Sequence, residues 1–308
     1  MRRRSVGVVT TAAATVMAVT AVTGCTGAAG HAGNETGDPG PVRELTRSEQ
    51  GRVEQAEQHL IQQCMRRQGF RYWVLPRVDA DTDRAFLYRF VRDDVAWARA
   101  YGYGERLRKT ALAAKEHDPN LTYRKGLSAA GRERYAAALQ GGGDTPFLTV
   151  ELPAGGAVRG PNGGCLRSAR ETLYGDSEAY FRTDTIASNL ARTYLPKVMH
   201  DPQFTAGLRD WSRCMYRATG HHYADPAAAR AGAARTGGLD TARAWRVEVK
   251  TATAEATCAH QTSLSDTLAR LDRRYGDPVR ERYADEIATS GRMKLAALHL
   301  ADTVVTGD

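Results

Sequence analysis

Cysteine placement constrains this chain more than any other feature of its sequence. Cys25 stands directly behind an apolar leader, and Cys64, Cys165, Cys214 and Cys258 are spread through the remainder. The leader opens with Arg2, Arg3 and Arg4 and continues as the uncharged run SVGVVTTAAATVMAVTAVTG. A basic segment followed by an apolar one is the pattern of an export signal, here residues 1–24, that is removed from the mature chain. A membrane span also takes about 20 apolar residues, but this run is rich in threonine and gives way to a Gly/Ala segment. Export places the four later cysteines, an even number, in an oxidising compartment where disulfides are the default.

Four cysteines allow three pairings. CMRRQGFRY (64–72) and CMYRATGHHY (214–223) each deliver Cys-Met near the end of an amphipathic helix, then a glycine that stops the helix, then aromatics. Val53, Ala56, Leu60 and Cys64 share one helical face, as do Phe204, Leu208, Trp211 and Met215 with Cys214 beside them. The apparent duplication favours pairing within each half, Cys64–Cys165 and Cys214–Cys258. Such bridges close loops of about 100 and about 45 residues, for which chain entropy gives roughly 4 to 5 kcal/mol each before native strain is counted. The Cys-to-Gly spacing differs by one residue between the copies, so true duplication and independent use of one helix ending both stay open. Cys214, His221, His222, Cys258 and His260 include zinc-type donors, but no Cys-x2-Cys or His-x3-His spacing occurs. Neither a metal nor another cofactor is expected.

Residues 25–45 are mostly Gly, Ala, Pro and polar residues, the composition of a flexible tether. Thr46 and Glu49 form a capping-box pattern that opens a helical half, 46–183. Within it the pattern predicts helices at Asp93–Arg99, Glu105–Glu116, Ser128–Leu139 and Cys165–Leu173, an extended or strand-like FRYWVL, and one β-hairpin near 147–159. The second half, 184–308, reads as helical throughout, whether the halves make one domain or two. Asp201-Pro202, Asp225-Pro226 and Asp277-Pro278 each offer a capping Asp with Pro at the first helical position. They frame a long helix from Thr241 to Leu271 and a last one from Pro278 to about Val304. The expected fold class is mainly α: disulfide-stapled helices with one short hairpin.

Val22-Thr23-Gly24-Cys25 resembles the bacterial lipobox, and the resemblance implies a diacylglyceryl group on the Cys25 thiol. Two acyl chains, at about 0.8 kcal/mol per buried methylene, anchor stably where one would be marginal. The expected location is the extracytoplasmic face of the cell membrane. Loss of Arg2 to Arg4 lowers the formal charge from +8 to about +5. That excess is scattered through helices outside the cytoplasm, so nucleic acid is not expected as a partner; anionic headgroups, wall polymer or envelope proteins are.

Cys64-Met65 through Phe70, Cys214-Met215 through Tyr223, and TATAEATCAHQTSL around Cys258 resemble actinobacterial secreted lipoproteins of unknown function. The resemblance implies export and disulfide-stapled helices; it carries no reaction and no catalytic residues. The chain has no Gly-x-Ser-x-Gly elbow, no Ser-x-x-Lys pair and no His-Glu-x-x-His helix. DADTD (79–83) imitates the start of a calcium loop, but Arg84 and Phe90 stand where the loop needs Gly and Glu, leaving a solvated acidic turn. His221-His222 reads as a surface pair, and Glu281, Asp285 and Glu286 as a solvated helix face. The candidate binding surface is aromatic: Phe70, Tyr72, Trp73, Tyr101 and Tyr103, interleaved with Arg71 and Arg106, could stack on wall sugars or a partner protein; packing in the core is the alternative. The expectation is a non-enzymatic envelope lipoprotein acting as a binding or scaffold module. A cell-wall-active hydrolase of unfamiliar design and a ligand-binding lipoprotein serving a transporter are the other classes.

Overall fold

The computed structural model describes residues 42–87, 90–235, 237–238 and 240–306. The expected export signal, Cys25 and the expected tether up to residue 41 lie outside the described residues. The chain forms α1 (Arg47–Arg67), α2 (Ala80–Phe86), α3 (Val95–Tyr101), α4 (Glu105–Glu116), α5 (Pro119–Gly126) and α6 (Ala129–Gln140). The hairpin β1 (Leu148–Glu151) and β2 (Ala157–Gly160) follows, then α7 (Gly164–Tyr174), α8 (Ser177–Ser188) and α9 (Ala191–His200). The chain continues through α10 (Pro202–Thr219), α11 (Pro226–Ala234), α12 (Thr241–Gln261), α13 (Leu264–Arg282) and α14 (Ala284–Thr306). It is a mainly α fold, 73% helical, with one hairpin and two disulfides.

Local chemistry accounts for many boundaries. The Thr46 hydroxyl accepts from the Glu49 amide while the Glu49 carboxylate accepts from Thr46, closing the capping box of α1. Asp201 and Asp225 cap α10 and α11 ahead of Pro202 and Pro226. The hairpin pairs Leu148 with Gly160 and Glu151 with Ala157, and turns through Gly155 and Gly156, both at positive φ.

Two helix boundaries differ from the sequence reading. Asp277-Pro278 does not start a helix: Pro278 lies inside α13. Leu264, Leu268, Leu271, Tyr275 and Val279 form one apolar stripe that packs against the core around Trp211 and runs straight past the proline. Burial of that stripe outweighs the one lost backbone hydrogen bond. The long helix expected from Thr241 to Leu271 instead breaks at Ser263, whose φ is +51° and ψ +29°. Ser263 is the one non-glycine at positive φ among the described residues. Ser263→Gly removes a left-handed penalty of about 1–2 kcal/mol, partly offset by greater freedom of the unfolded chain. A net gain of about 0.5–1 kcal/mol, or about 2 °C in Tm, is expected in a thermal melt; a loss would mean the serine side chain holds the turn.

Both disulfides join the cysteines paired within each half. Cys64 bonds Cys165 with Cα atoms 5.5 Å apart, and Cys214 bonds Cys258 at 5.7 Å. The two Cys-Met stretches do the same local work, since Met65 and Met215 are fully buried beside the bridges and Gly69 and Gly220 both take φ +78°. Their partners differ. Glu57 meets Arg170 while Cys64 meets Cys165, so α7 runs antiparallel to α1. Trp211 meets Glu255 while Cys214 meets Cys258, so α12 runs alongside α10 in the same direction. What recurs is a helix ending, with a different helix pair around it.

The halves interlock. α14, the last helix, packs with α1, α7 and α8, burying Val53, Ala56 and Leu173 against Ala297, Leu298 and Ala301. In exchange, α3 from the first half packs on α12. The largest core surrounds Trp211, Phe204, Met215, Leu264 and Leu271, between α9, α10, α12 and α13.

Candidate functional site: an arginine-lined cavity

Between the α3–α4 elbow and α11 lies an open cavity of about 490 Å³. Its geometry begins with YGYG (101–104). Gly102 and Gly104 both have positive φ, and a Cβ on Gly104 would meet the Ala85 Cβ at 2.7 Å, so the chain turns here only with glycine. The turn sends Tyr103 inward, where its hydroxyl donates to Glu255 Oε2 at 2.8 Å. α4 has no side-chain cap of its own; Glu248 of α12 reaches across and accepts from the amides of Tyr103 (2.8 Å) and Glu105 (3.2 Å).

Glu255 is the hub, with 0% of its surface exposed. Its Oε1 accepts from the Arg92 amide at 2.7 Å and from Arg230 Nη2 at 2.9 Å. Arg230 Nη2 also donates to the Phe90 carbonyl, while Arg230 Nε is buried with no partner. Burial raises the Glu255 carboxyl above its ordinary range, opposed by Arg230, the Arg92 amide and Tyr103. Burial likewise raises the Tyr103 hydroxyl, helped by the Glu255 charge.

Two more arginines face the cavity. Arg108 is fully engaged: Nη1 donates to the carbonyls of Ala85 and Tyr103, both at 2.8 Å, and Nη2 to Glu105 at 2.7 Å. Arg92 is not. It is only 8% exposed, lies 4.5 Å over the Trp97 ring, and makes one long contact of 3.4 Å to the Tyr103 carbonyl. Among the described residues no carboxylate pairs with its guanidinium. Burial, then Arg230 and Arg108, push the Arg92 pKa down to about 10, opposed by the Glu255 charge. The outer walls are apolar: Phe86, Leu87 and, on one face of α11, Ala227, Ala231 and Ala234.

The five aromatics singled out in the sequence fall into two groups. Phe70, Tyr72 and Trp73 border the Tyr123–Tyr135 cluster beside α6: Phe70 meets Tyr135 edge-on at 5.4 Å, Trp73 meets Tyr123 at 5.6 Å, and Tyr72 donates to Gln58 at 2.6 Å. Burial pushes the Tyr72 hydroxyl up to about 12. Tyr101 and Tyr103 belong to the elbow. Arg71 sits over Trp73, and Arg106 over Trp245 rather than over any of the five. The acidic stretch 79–83 is no solvated turn but the start of α2. Asp79 caps it, and Asp81 accepts from Trp97 Nε1 and the Tyr101 hydroxyl, fixing α3 to α2. His221 and His222 are exposed after α10, with His222 stacked on Tyr216 at 4.0 Å.

The sequence reading missed Arg92, Arg108, Arg230 and Glu255. One signal was available for the last: Glu255 is the lone acid in TATAEATCA, one helical turn from a cysteine expected in a disulfide. No family model, curated protein or solved structure matches the chain.

Proposed function

We propose that this protein is a non-enzymatic binding module of the bacterial cell envelope, held by a lipid on Cys25 at the extracytoplasmic face of the membrane and standing off on a short tether. The observation that carries the reading is the pair of disulfides, Cys64–Cys165 and Cys214–Cys258, which belong in an oxidising compartment. Every cysteine after the lipobox is thereby committed to architecture, and none is left as a nucleophile or metal ligand. The arginine-lined cavity supplies a recess of the size that small-molecule sites occupy, with mainly apolar walls and a few fixed polar groups.

The test is fractionation of cells expressing the chain, with a peptide mass map of the product. Wild-type protein is expected in the membrane fraction with a diacylated Cys25 as its first residue. Cys25→Ser is expected to lose the acyl mass and leave the membrane fraction. Membrane retention of Cys25→Ser, or an unmodified Cys25 in the wild type, would remove the anchor from the proposal.

A further inference from the structure

The charges around the cavity do not balance locally, and the imbalance has an address. Glu105 is engaged by Arg108 and Lys109. Glu248 is engaged by two amides at the start of α4, and Glu255 by Arg230, the Arg92 amide and Tyr103. None of the three can turn to Arg92 without stripping a partner from α4, Arg108 or Arg230. Arg92 is 8% exposed as a residue, and no carboxylate bonds its guanidinium among the described residues, which is costly, since desolvation of a charge is recovered only by pairing it. Beside it, Arg230 Nε is buried with a hydrogen and no acceptor.

From this geometry we propose that the cavity binds a small amphiphile with a single anionic head, carboxylate or phosphate, seated against Arg92 and with its apolar part along Phe86, Leu87 and the alanine face of α11. This rests on the reading of the protein as a binding module and names the ligand class. An inorganic anion would answer the charge on Arg92 but leave the walls wet. An apolar ligand would cover the walls but leave the guanidinium unpaired. Phe86 is 43% exposed, and Ala227, Ala231 and Ala234 are also exposed, so the walls are open to an incoming chain. Planar, rigid guanidinium donors suit carboxylate and phosphate oxygens equally, which is why the head is defined by charge and not by element.

The experiment is calorimetric titration of the purified full chain with octanoate, octyl phosphate and octylamine. Either or both anions are expected to bind and the amine is not; whichever anion binds tighter identifies the head. Arg92→Met, which keeps the apolar stem, is expected to weaken anion binding about tenfold or more. Ala231→Phe fills the cavity from the exposed face of α11 without touching the arginines, and is expected to abolish binding with the Tm unchanged. It decides the matter even where Arg92→Met fails to fold. Failure of both anions to bind, equal binding of octylamine, or wild-type affinity in Ala231→Phe would overturn the proposal. The titration needs no membrane, so a missing anchor on Cys25 leaves this inference standing, and absent anion binding leaves the anchored module standing.

Discussion

Truncating Glu255 to alanine is expected to lower the unfolding free energy by about 3–5 kcal/mol, the cost of removing one partner from a buried charged pair. The value follows from what is left behind. Arg230 keeps only the Phe90 carbonyl, the Arg92 amide loses its acceptor, and the Tyr103 hydroxyl points into a void in the core. Each stranded donor carries a desolvation cost of about 1–3 kcal/mol where it cannot reach water. Glu255→Gln keeps the shape and one acceptor but loses the charge that pairs Arg230 and sets an NH2 in place of one oxygen, so a smaller loss of about 2–3 kcal/mol is expected. Tyr103→Phe, which removes one of the three donors, is expected to cost about 1 kcal/mol. Urea unfolding midpoints at constant m-value provide the measurement. A change below about 1 kcal/mol for Glu255→Ala would mean that water or a rearranged arginine replaces the carboxylate, and the hub would lose its standing.

The disulfides come next in size. Replacing Cys214 and Cys258 together by alanine frees a loop with a sequence separation of 44, and replacing Cys64 and Cys165 frees one of 101. Chain entropy alone sets losses of about 4 and about 4.7 kcal/mol. The two replacements should also differ in where the damage falls. Cys258 follows Glu255 by one turn of α12, and Cys214 follows Trp211, whose indole donates to the Glu255 carbonyl. Loss of that bridge is therefore expected to loosen the arginine cavity, seen as faster hydrogen exchange at Tyr103 and Arg92. Loss of Cys64–Cys165 is expected to act at α6 and the Tyr123–Tyr135 cluster and leave the cavity amides unchanged. Equal exchange patterns in the two variants would mean that both bridges act only on the unfolded chain.

What could be read from the sequence was local. The capping box at Thr46, the bounds of α4, the hairpin and the glycine endings at Gly69 and Gly220 each depend on a few adjacent residues whose chemistry is self-contained. Pro278 was misread because a proline is only a local signal, and the apolar stripe that overrides it earns its burial from α9 and α10, far off in sequence. Ser263 breaks a helix without glycine, so no residue type announced it. The aromatic set joined side chains that the fold sends to two places. Tyr103 was a candidate binding ring with core packing as the alternative, and the glycines on either side of it are what let the turn fold inward against Ala85. The cavity draws on residues near 86, 92, 108, 230 and 248. Nothing in their spacing brings Arg92 to Arg230, since that meeting depends on α11 and α12 packing around one buried acid.

The pairing of α1 with α14 has a mechanical meaning. A load applied on the N-terminal side of Val42 enters the body through α1, which is held sideways by α14 and by the Arg52–Asp302 ion pair. If those contacts yield, only residues 42–63 can be drawn out before the pull reaches Cys64, where a covalent bond to Cys165 takes the strain. The span between the two cysteines, a sequence separation of 101, is then bypassed by the bridge and cannot be pulled out end to end. The bridge works as a shortcut in a line: a pull that has drawn out α1 is handed directly to α7, and the loop between the two cysteines adds nothing to the length released.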